Sequence, residues 1–115
     1  MLQVSPQMRI LISVKPTDFR KGIDGLAGIC RNQLMEDPMS GTLFLFRNRS
    51  KTALRVLAYD GQGFCLYSKR LSKGRFHWWP NRVEDMIKID CKELQTLLWN
   101  GNPVNANFSK EWRKI

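Results

Sequence analysis

The sequence predicts an α+β fold in which a small antiparallel β-meander sheet carries an N-terminal strand-helix unit and a C-terminal helix. Three apolar runs in the middle of the chain are short, rich in strand-forming residues and separated by turn residues. On either side of these runs, apolar residues recur at helical spacing. The 115 residues, 43% of them apolar, suffice for one hydrophobic core. We therefore expect a single domain over residues 1–115.

The N-terminal unit begins with an apolar run at residues 9–14, which predicts the first strand. Thr17 and Asp18 are candidate caps for a helix that begins near Phe19, because both side chains accept hydrogen bonds from backbone N–H groups. The apolar residues at helical spacing are Ile23, Leu26, Ala27, Ile29, Cys30 and Leu34. Glycines at positions 22, 25 and 28 disfavour a helix, and close packing on the sheet would explain them.

The meander is predicted by three runs at residues 42–46, 53–59 and 64–68. A polar loop at residues 47–51 joins the first two strands. Between the second and third strands, an Asp-Gly pair favours a tight hairpin turn. We therefore assign a structural turn to Asp60, Gly61 and Gly63.

The C-terminal part begins with a short edge strand at residues 86–89. Asp90 and Glu93 have the spacing of a capping box, which predicts the start of a helix. Leucines at positions 94, 97 and 98 form its apolar stripe, and Gly101 predicts its end. The remaining tail, at residues 103–115, is polar and basic.

Positive charge is concentrated in the middle of the chain. The 19 Lys and Arg residues against 10 Asp and Glu give a formal net charge of +9, which favours polyanionic partners. Between Pro38 and Arg82 the only acid is Asp60. Loops at alternate ends of a meander lie at opposite ends of the sheet, so the basic segments 47–51 and 69–75 are expected at the same end. The predicted nucleic-acid-binding residues are Arg47, Arg49, Lys51, Arg55, Lys69, Arg70, Lys73 and Arg75. An acidic protein partner, or a solvated surface without a role, is the alternative interpretation of these charges.

Three aromatic residues follow the second basic segment: Phe76, Trp78 and Trp79. Aromatic rings beside a guanidinium group stack on bases or contact a partner protein. Packing in the core is the alternative for the same residues. In a chain of this size, we expect one of the two adjacent tryptophans to pack inward and the other to remain partly exposed.

No motif of the sequence predicts catalysis, a cofactor or a metal site. A zinc site needs about four Cys or His ligands, whereas Cys30, Cys65 and Cys91 are widely spaced and His77 is the only histidine. We expect these cysteines to be reduced core residues of a cytoplasmic protein. A catalytic triad needs a histidine beside a nucleophile, and His77 lies in no such motif. No apolar run is long enough to span a membrane.

Four segments carry a resemblance to a known family: TDFRKGIDGL (17–26), DPMSGTLFLFRNRSKTALRVL (37–57), YDGQGFCLYSKRLSKGRFHWWP (59–80) and LQTLLWNG (94–101). Over residues 9–101 the chain resembles the TnpB accessory proteins of insertion sequence family 66. This resemblance implies a non-catalytic factor encoded by a bacterial transposable element, acting with a separate transposase that carries the catalytic acids. The positions that match the family are Asp18, Arg20, Lys21, Arg47, Arg49, Asp60, Gly61, Gly63, Lys69, Arg70, Gly74 and Arg75.

Charge and resemblance together predict an accessory protein that binds DNA and assists this transposase. The alternative is an interaction module that docks an acidic transposase surface through the same basic residues and Trp78 or Trp79. A third interpretation is an enzyme whose site is assembled on oligomerisation, although no catalytic motif supports it.

Overall fold

A computed structural model describes residues 5–103 of the chain. Within this range the elements are β1 (Ile10–Ser13), a 3₁₀ turn (Phe19–Lys21), α1 (Gly22–Asn32), β2 (Leu43–Arg47), β3 (Ala53–Tyr59), β4 (Phe64–Arg70), β5 (Met86–Ile89) and α2 (Cys91–Leu98). The predicted α+β fold is confirmed. Neither helix of this part of the chain has the length and hydrophobicity needed to cross a membrane. All but the first residue of the predicted basic tail lies outside the described residues.

The sheet has the strand order β4-β3-β2-β1-β5. The predicted antiparallel meander is formed by β2, β3 and β4. The sheet as a whole is mixed, because β1 pairs parallel with β2 and antiparallel with β5. This parallel pair follows from α1, which returns the chain to the starting end of β1 before β2 begins. As predicted, β5 is an edge strand.

Each face of the sheet is covered by one helix, because alternate residues of a strand face opposite sides. On the α2 side, the buried cluster comprises Ile10, Ile12, Leu43, Leu45, Leu54, Val56, Phe76, Trp79, Ile89, Leu94 and Leu97. On the α1 side, it comprises Leu11, Leu26, Ala27, Ile29, Cys30, Leu34, Phe44, Phe46 and Leu57. The two clusters explain why β1 and β2 are apolar at every position but their last, since both of their faces are buried.

The start of α1 differs from the prediction in detail. Asp18 is the predicted cap, accepting a 3.0 Å hydrogen bond from the backbone N–H of Arg20, but the turn that it caps is 3₁₀. The α-helix begins at Gly22, whose φ of +68° is left-handed. The expectation that sheet packing explains the helix glycines was wrong. A Cβ at Gly25 would collide with the Lys21 side chain, and one at Gly28 would meet open space.

The capping box of α2 is present as predicted. The Asp90 carboxylate accepts a 2.7 Å hydrogen bond from the Glu93 N–H, and the Glu93 carboxylate accepts one of 3.1 Å from the Asp90 N–H. These bonds satisfy two backbone donors at the start of the helix. The helix that they start covers one face of the sheet through its leucines.

The expectation that all three cysteines are core residues was wrong for two of them. All three are free, and Cys30 is buried as expected, but Cys65 is exposed and Cys91 is half-buried. Cys65 lies on β4, an edge strand whose solvent-facing residues are only partly covered. Burial raises the pKa of the Cys30 thiol to about 12, whereas a hydrogen bond to the Asp60 carboxylate raises the pKa of Cys65.

Candidate nucleic-acid interface

The two predicted basic segments lie side by side at one end of the sheet. The Leu71 N–H donates a 2.9 Å hydrogen bond to the Thr52 carbonyl, and the Phe76 N–H donates one of 2.7 Å to the Lys51 carbonyl. We call this region, formed by residues 47–52 and 69–76, the basic end. The turn at Asp60 lies at the other end of β3, where its carboxylate accepts 2.9 Å hydrogen bonds from the N–H groups of Gln62 and Gly63.

The β2–β3 loop is held in shape by Asn48. Its Oδ1 accepts hydrogen bonds from the N–H groups of Thr52 (3.0 Å) and Ala53 (3.1 Å), while its Nδ2 donates to the Thr52 hydroxyl at 2.9 Å. Lys51 adopts a left-handed conformation with φ of +61°, which closes the loop. Arg49 and Ser50 are therefore presented as exposed residues on an ordered loop.

The Arg47 side chain hydrogen-bonds to the backbone of this loop instead of projecting into solvent. Its Nη1 donates to the carbonyls of Asn48 (3.2 Å) and Arg49 (3.3 Å), and its guanidinium lies 6.0 Å from the centre of the Trp79 ring. Its Nε is buried without a hydrogen-bond partner, and burial lowers the pKa of Arg47. The structure thus gives Arg47 an internal role.

Arg55 and Lys69 also contact the protein itself. Arg55 donates a 2.7 Å hydrogen bond to the Phe19 carbonyl and lies 4.6 Å from the centre of the Phe19 ring, which ties β3 to the 3₁₀ turn. Lys69 donates to the carbonyl of Leu98 at the C-terminus of α2, where a cation is favourable. Its ammonium lies 4.6 Å from the centre of the Trp99 ring.

The remaining cations of the predicted set differ in exposure. Lys51 is half-buried, whereas Arg49, Arg70, Lys73 and Arg75 are exposed. Gly74, with φ of +75°, allows the chain to turn between Lys73 and Arg75.

Two acids at the same end of the sheet are paired with other cations. Asp18 lies 2.9 Å from Arg20, and Asp85 lies 3.2 Å from Lys15. The four exposed side chains form no ion pair with any residue in the described range.

The predicted aromatic residues divide between core and surface. Phe76 and Trp79 are 3% and 7% exposed and belong to the core on the α2 side. The Trp79 indole N–H donates a 2.8 Å hydrogen bond to the buried carbonyl of Val14. Trp78 keeps part of its surface exposed, so it is the member of the predicted trio whose ring has a solvent-facing part.

Trp99 is a surface aromatic that the sequence analysis missed. It is 82% exposed and lies just after α2, beside a groove lined by Lys92, Gln95, Thr96 and Gly101. Its position in the sequence could have indicated this exposure. Trp99 follows the apolar stripe of α2 at the end of the helix, at a spacing that places it outside the buried face.

The segment 16–20 faces the β2–β3 loop and carries a cation, Arg20, that was also absent from the predicted binding residues. The Thr17 N–H donates a 2.9 Å hydrogen bond to the Arg47 carbonyl, which fixes the segment 16–20 beside the loop. Arg20 donates to both oxygens of Asp18, from Nε at 3.0 Å and from Nη2 at 2.9 Å. These bonds lower the pKa of the Asp18 carboxyl to about 2.

The segment 16–20 and the β2–β3 loop form the two walls of an open cleft of about 650 Å³. The cleft is lined by Pro16, Thr17, Asp18, Phe19, Arg20, Asn48, Arg49, Ser50 and Arg55. The resemblance identified Asp18 and Arg20 as family positions. A count of charges along the sequence did not identify Arg20, because the negative charge of Asp18 cancels its positive charge. The fold therefore adds a cationic side chain to the end of the sheet where the predicted cations lie.

Comparison with known proteins agrees with the resemblance. The chain is 41% identical over 98 residues to the uncharacterized protein y4hO of Sinorhizobium fredii (strain NBRC 101917 / NGR234), an alignment that covers 85% of this chain and 84% of that protein. It is 36% identical over 80 residues to the uncharacterized protein y4jC of the same strain, covering 70% and 68%. No solved structure matches the chain. The family model described as IS66 Orf2 like protein matches residues 8–107, and the chain therefore belongs to the IS66 Orf2-like (TnpB) family.

Proposed function

We propose that the protein is a non-catalytic accessory factor of insertion-sequence transposition that binds DNA through the basic end and assists a separate transposase. Membership of the family supports the role in transposition. The observation that carries the DNA contact is the set of four exposed cations at one end of the sheet, Arg49, Arg70, Lys73 and Arg75. The proposed role places the protein in the cytoplasm, where the DNA of a bacterial element lies.

The chemistry of these side chains favours the DNA backbone over the bases. Guanidinium and ammonium groups bind phosphate oxygens, which position a protein on DNA without identifying the sequence. Each phosphate contact contributes about −0.9 to the slope of log affinity against log salt concentration. Four contacts thus predict a slope of about −3.6 and an affinity loss of roughly 150-fold between about 50 and 200 mM salt.

The test compares two variants of equal net charge. The first changes Arg49, Arg70 and Arg75 to Gln, and the control changes three exposed cations outside the basic end, Arg31, Lys88 and Lys92, to Gln. Each variant carries +6, three less than the +9 of the protein. Fluorescence anisotropy measures the binding of a labelled element-end duplex and a scrambled duplex across the salt series.

We expect the first variant to reduce the steepness of the salt slope by about 2.7 and the control to keep a slope near that of the protein. Similar affinities for the two duplexes are expected from backbone contacts. Equal losses in both variants would show that net charge alone acts and would refute the basic end as the interface. Absence of binding by the protein at about 50 mM salt would refute the DNA-binding role.

A second candidate function is a protein-interaction module. In this alternative the protein docks on an acidic surface of the transposase and makes no direct contact with DNA. The exposed Trp99 ring favours this function, because tryptophan is enriched at protein interfaces and among the residues that contribute most to binding. Under this alternative, Trp99→Ala abolishes co-purification with the element's transposase, while replacement of another exposed apolar residue, Met35→Ala, leaves it unchanged. Co-purification that survives Trp99→Ala would exclude docking through this ring.

A further inference from the structure

The cleft between segment 16–20 and the β2–β3 loop has the composition of a binding site for an anion. Its two walls come from distant parts of the chain and are joined by the hydrogen bond between the Thr17 N–H and the Arg47 carbonyl. Three guanidinium groups, those of Arg20, Arg49 and Arg55, line it against the single carboxylate of Asp18. The charged side chains of the cleft therefore sum to +2, from three positive groups and one negative group.

The side-chain carboxylate and amide oxygens that line the cleft are already used within the protein. The Asp18 carboxylate accepts from the Arg20 backbone N–H at 3.0 Å and from the Arg20 guanidinium at 3.0, 3.3 and 2.9 Å. The Asn48 side-chain oxygen accepts from two backbone N–H groups of its own loop. A ligand that needs acceptors from the protein would find these occupied.

Donors remain available on both walls. Arg20 uses Nε and Nη2 to contact Asp18, which leaves the two N–H bonds of Nη1. No described residue accepts a hydrogen bond from the Arg49 side chain, which is exposed at the tip of the loop. The Ser50 hydroxyl at the rim is hydrogen-bonded to the Thr52 hydroxyl at 2.9 Å, so the available donors are those of the two arginines. Free donors with positive charge select a ligand rich in acceptors and negative charge.

The aromatic ring of the cleft argues for a phosphate rather than a base. One face of Phe19 carries the Arg55 guanidinium at 4.6 Å, so that face is not free for stacking on a base. The planar fork of arginine matches the oxygens of a phosphate. We propose, on the basis of the proposed function, that this cleft binds a phosphodiester group of the DNA backbone, with Arg20 on one wall and Arg49 on the other. Asp18 is the positioning residue that holds the Arg20 guanidinium.

The experiment uses the full chain and the variant Arg20→Gln, with Arg31→Gln as a control of equal charge. The Arg20 side chain is 91% exposed, so its replacement leaves the core intact. In anisotropy with the labelled duplex, we expect Arg20→Gln to bind roughly tenfold more weakly, the size of one charge-assisted hydrogen bond. The salt slope should become less steep by about 0.9, while Arg31→Gln changes neither quantity.

A second measurement follows the Nε–H resonances of Arg20 and Arg49 by NMR while the duplex is added. Shifts of both resonances at the same duplex concentrations support the cleft. If the protein binds the duplex but Arg20→Gln matches Arg31→Gln and the Arg20 resonance does not move, the cleft assignment is overturned and the proposed function stands. If the protein fails to bind duplex at low salt, both are overturned.

Inorganic phosphate, added at constant ionic strength, distinguishes a free anion from the DNA backbone. Under the proposal, phosphate alone produces weak, non-saturating shifts of the Arg20 and Arg49 resonances, and the duplex produces saturating ones. Saturating shifts with phosphate and none with the duplex would assign the cleft to a free phosphate ligand and overturn the DNA assignment.

Discussion

Replacing Trp79 with Phe is expected to lower the free energy of unfolding by about 1–3 kcal/mol, the cost of an unsatisfied buried polar group. Trp79 is 7% exposed, and its indole N–H donates a 2.8 Å hydrogen bond to the Val14 carbonyl. Phe keeps an aromatic ring in the core but has no donor, so the carbonyl loses this partner in a buried site. Urea unfolding followed by far-UV circular dichroism measures the change, as a shift of about 1 M in the midpoint.

The matched control is Trp78→Phe, in the adjacent and partly exposed tryptophan. Trp78 is half-buried and packs against the α2-side cluster, so this replacement also removes ring contacts, but it leaves no buried carbonyl without its donor and should destabilise the protein less than Trp79→Phe. If Trp79→Phe is as stable as the unchanged protein, the hydrogen bond to Val14 is energetically irrelevant and the structural assignment of Trp79 fails. Trp79 would then return to the residues considered for base stacking or partner contact.

Three further predictions concern ionisable side chains. A thiol reagent at about pH 8 should modify Cys65 and spare Cys30, since burial raises the pKa of Cys30 to about 12; mass spectrometry that finds both labelled at equal rates would contradict this. Because the Asp60 carboxylate raises the pKa of Cys65, Asp60→Asn should accelerate labelling. The Asp18 pKa is lowered from 3.8 to about 2 by Arg20, so the stabilising contribution of this pair is complete above about pH 4 and is lost as pH falls towards 2. A carboxyl NMR titration of Asp18 with a midpoint near 3.8 would exclude the pair in solution.

The elements of the fold were predictable because their signals are local. Asp-Gly at the β3–β4 turn and the capping box at Asp90 each depend on residues within four positions of one another. The parallel pairing of β1 with β2 was not predicted, because an apolar strand does not encode the direction of its neighbour. It depends on α1 crossing a face of the sheet, which is a long-range outcome.

The candidate site was only partly predictable, since counting cations does not tell where their side chains go. Arg47 and Lys69 are the cross-strand partners of Leu54 and therefore lie on its side of the sheet, which α2 covers. On that side Arg47 contacts Trp79, and Lys69 contacts the end of α2. Arg55 faces the opposite side and reaches Phe19. Strand alternation places a charged residue on a face, but the partners on that face come from distant segments.

The division of the cations has a consequence for assigning the interface. Replacing Lys69 or Arg55 removes contacts to Leu98 or Phe19 that hold helix and turn to the sheet, so it reduces the folded population. Loss of folded protein weakens apparent binding at every salt concentration and leaves the slope unchanged. Loss of a phosphate contact changes the slope itself, by about 0.9. Affinity at one salt concentration therefore does not distinguish the internal cations from those proposed to contact DNA, whereas the salt slope does.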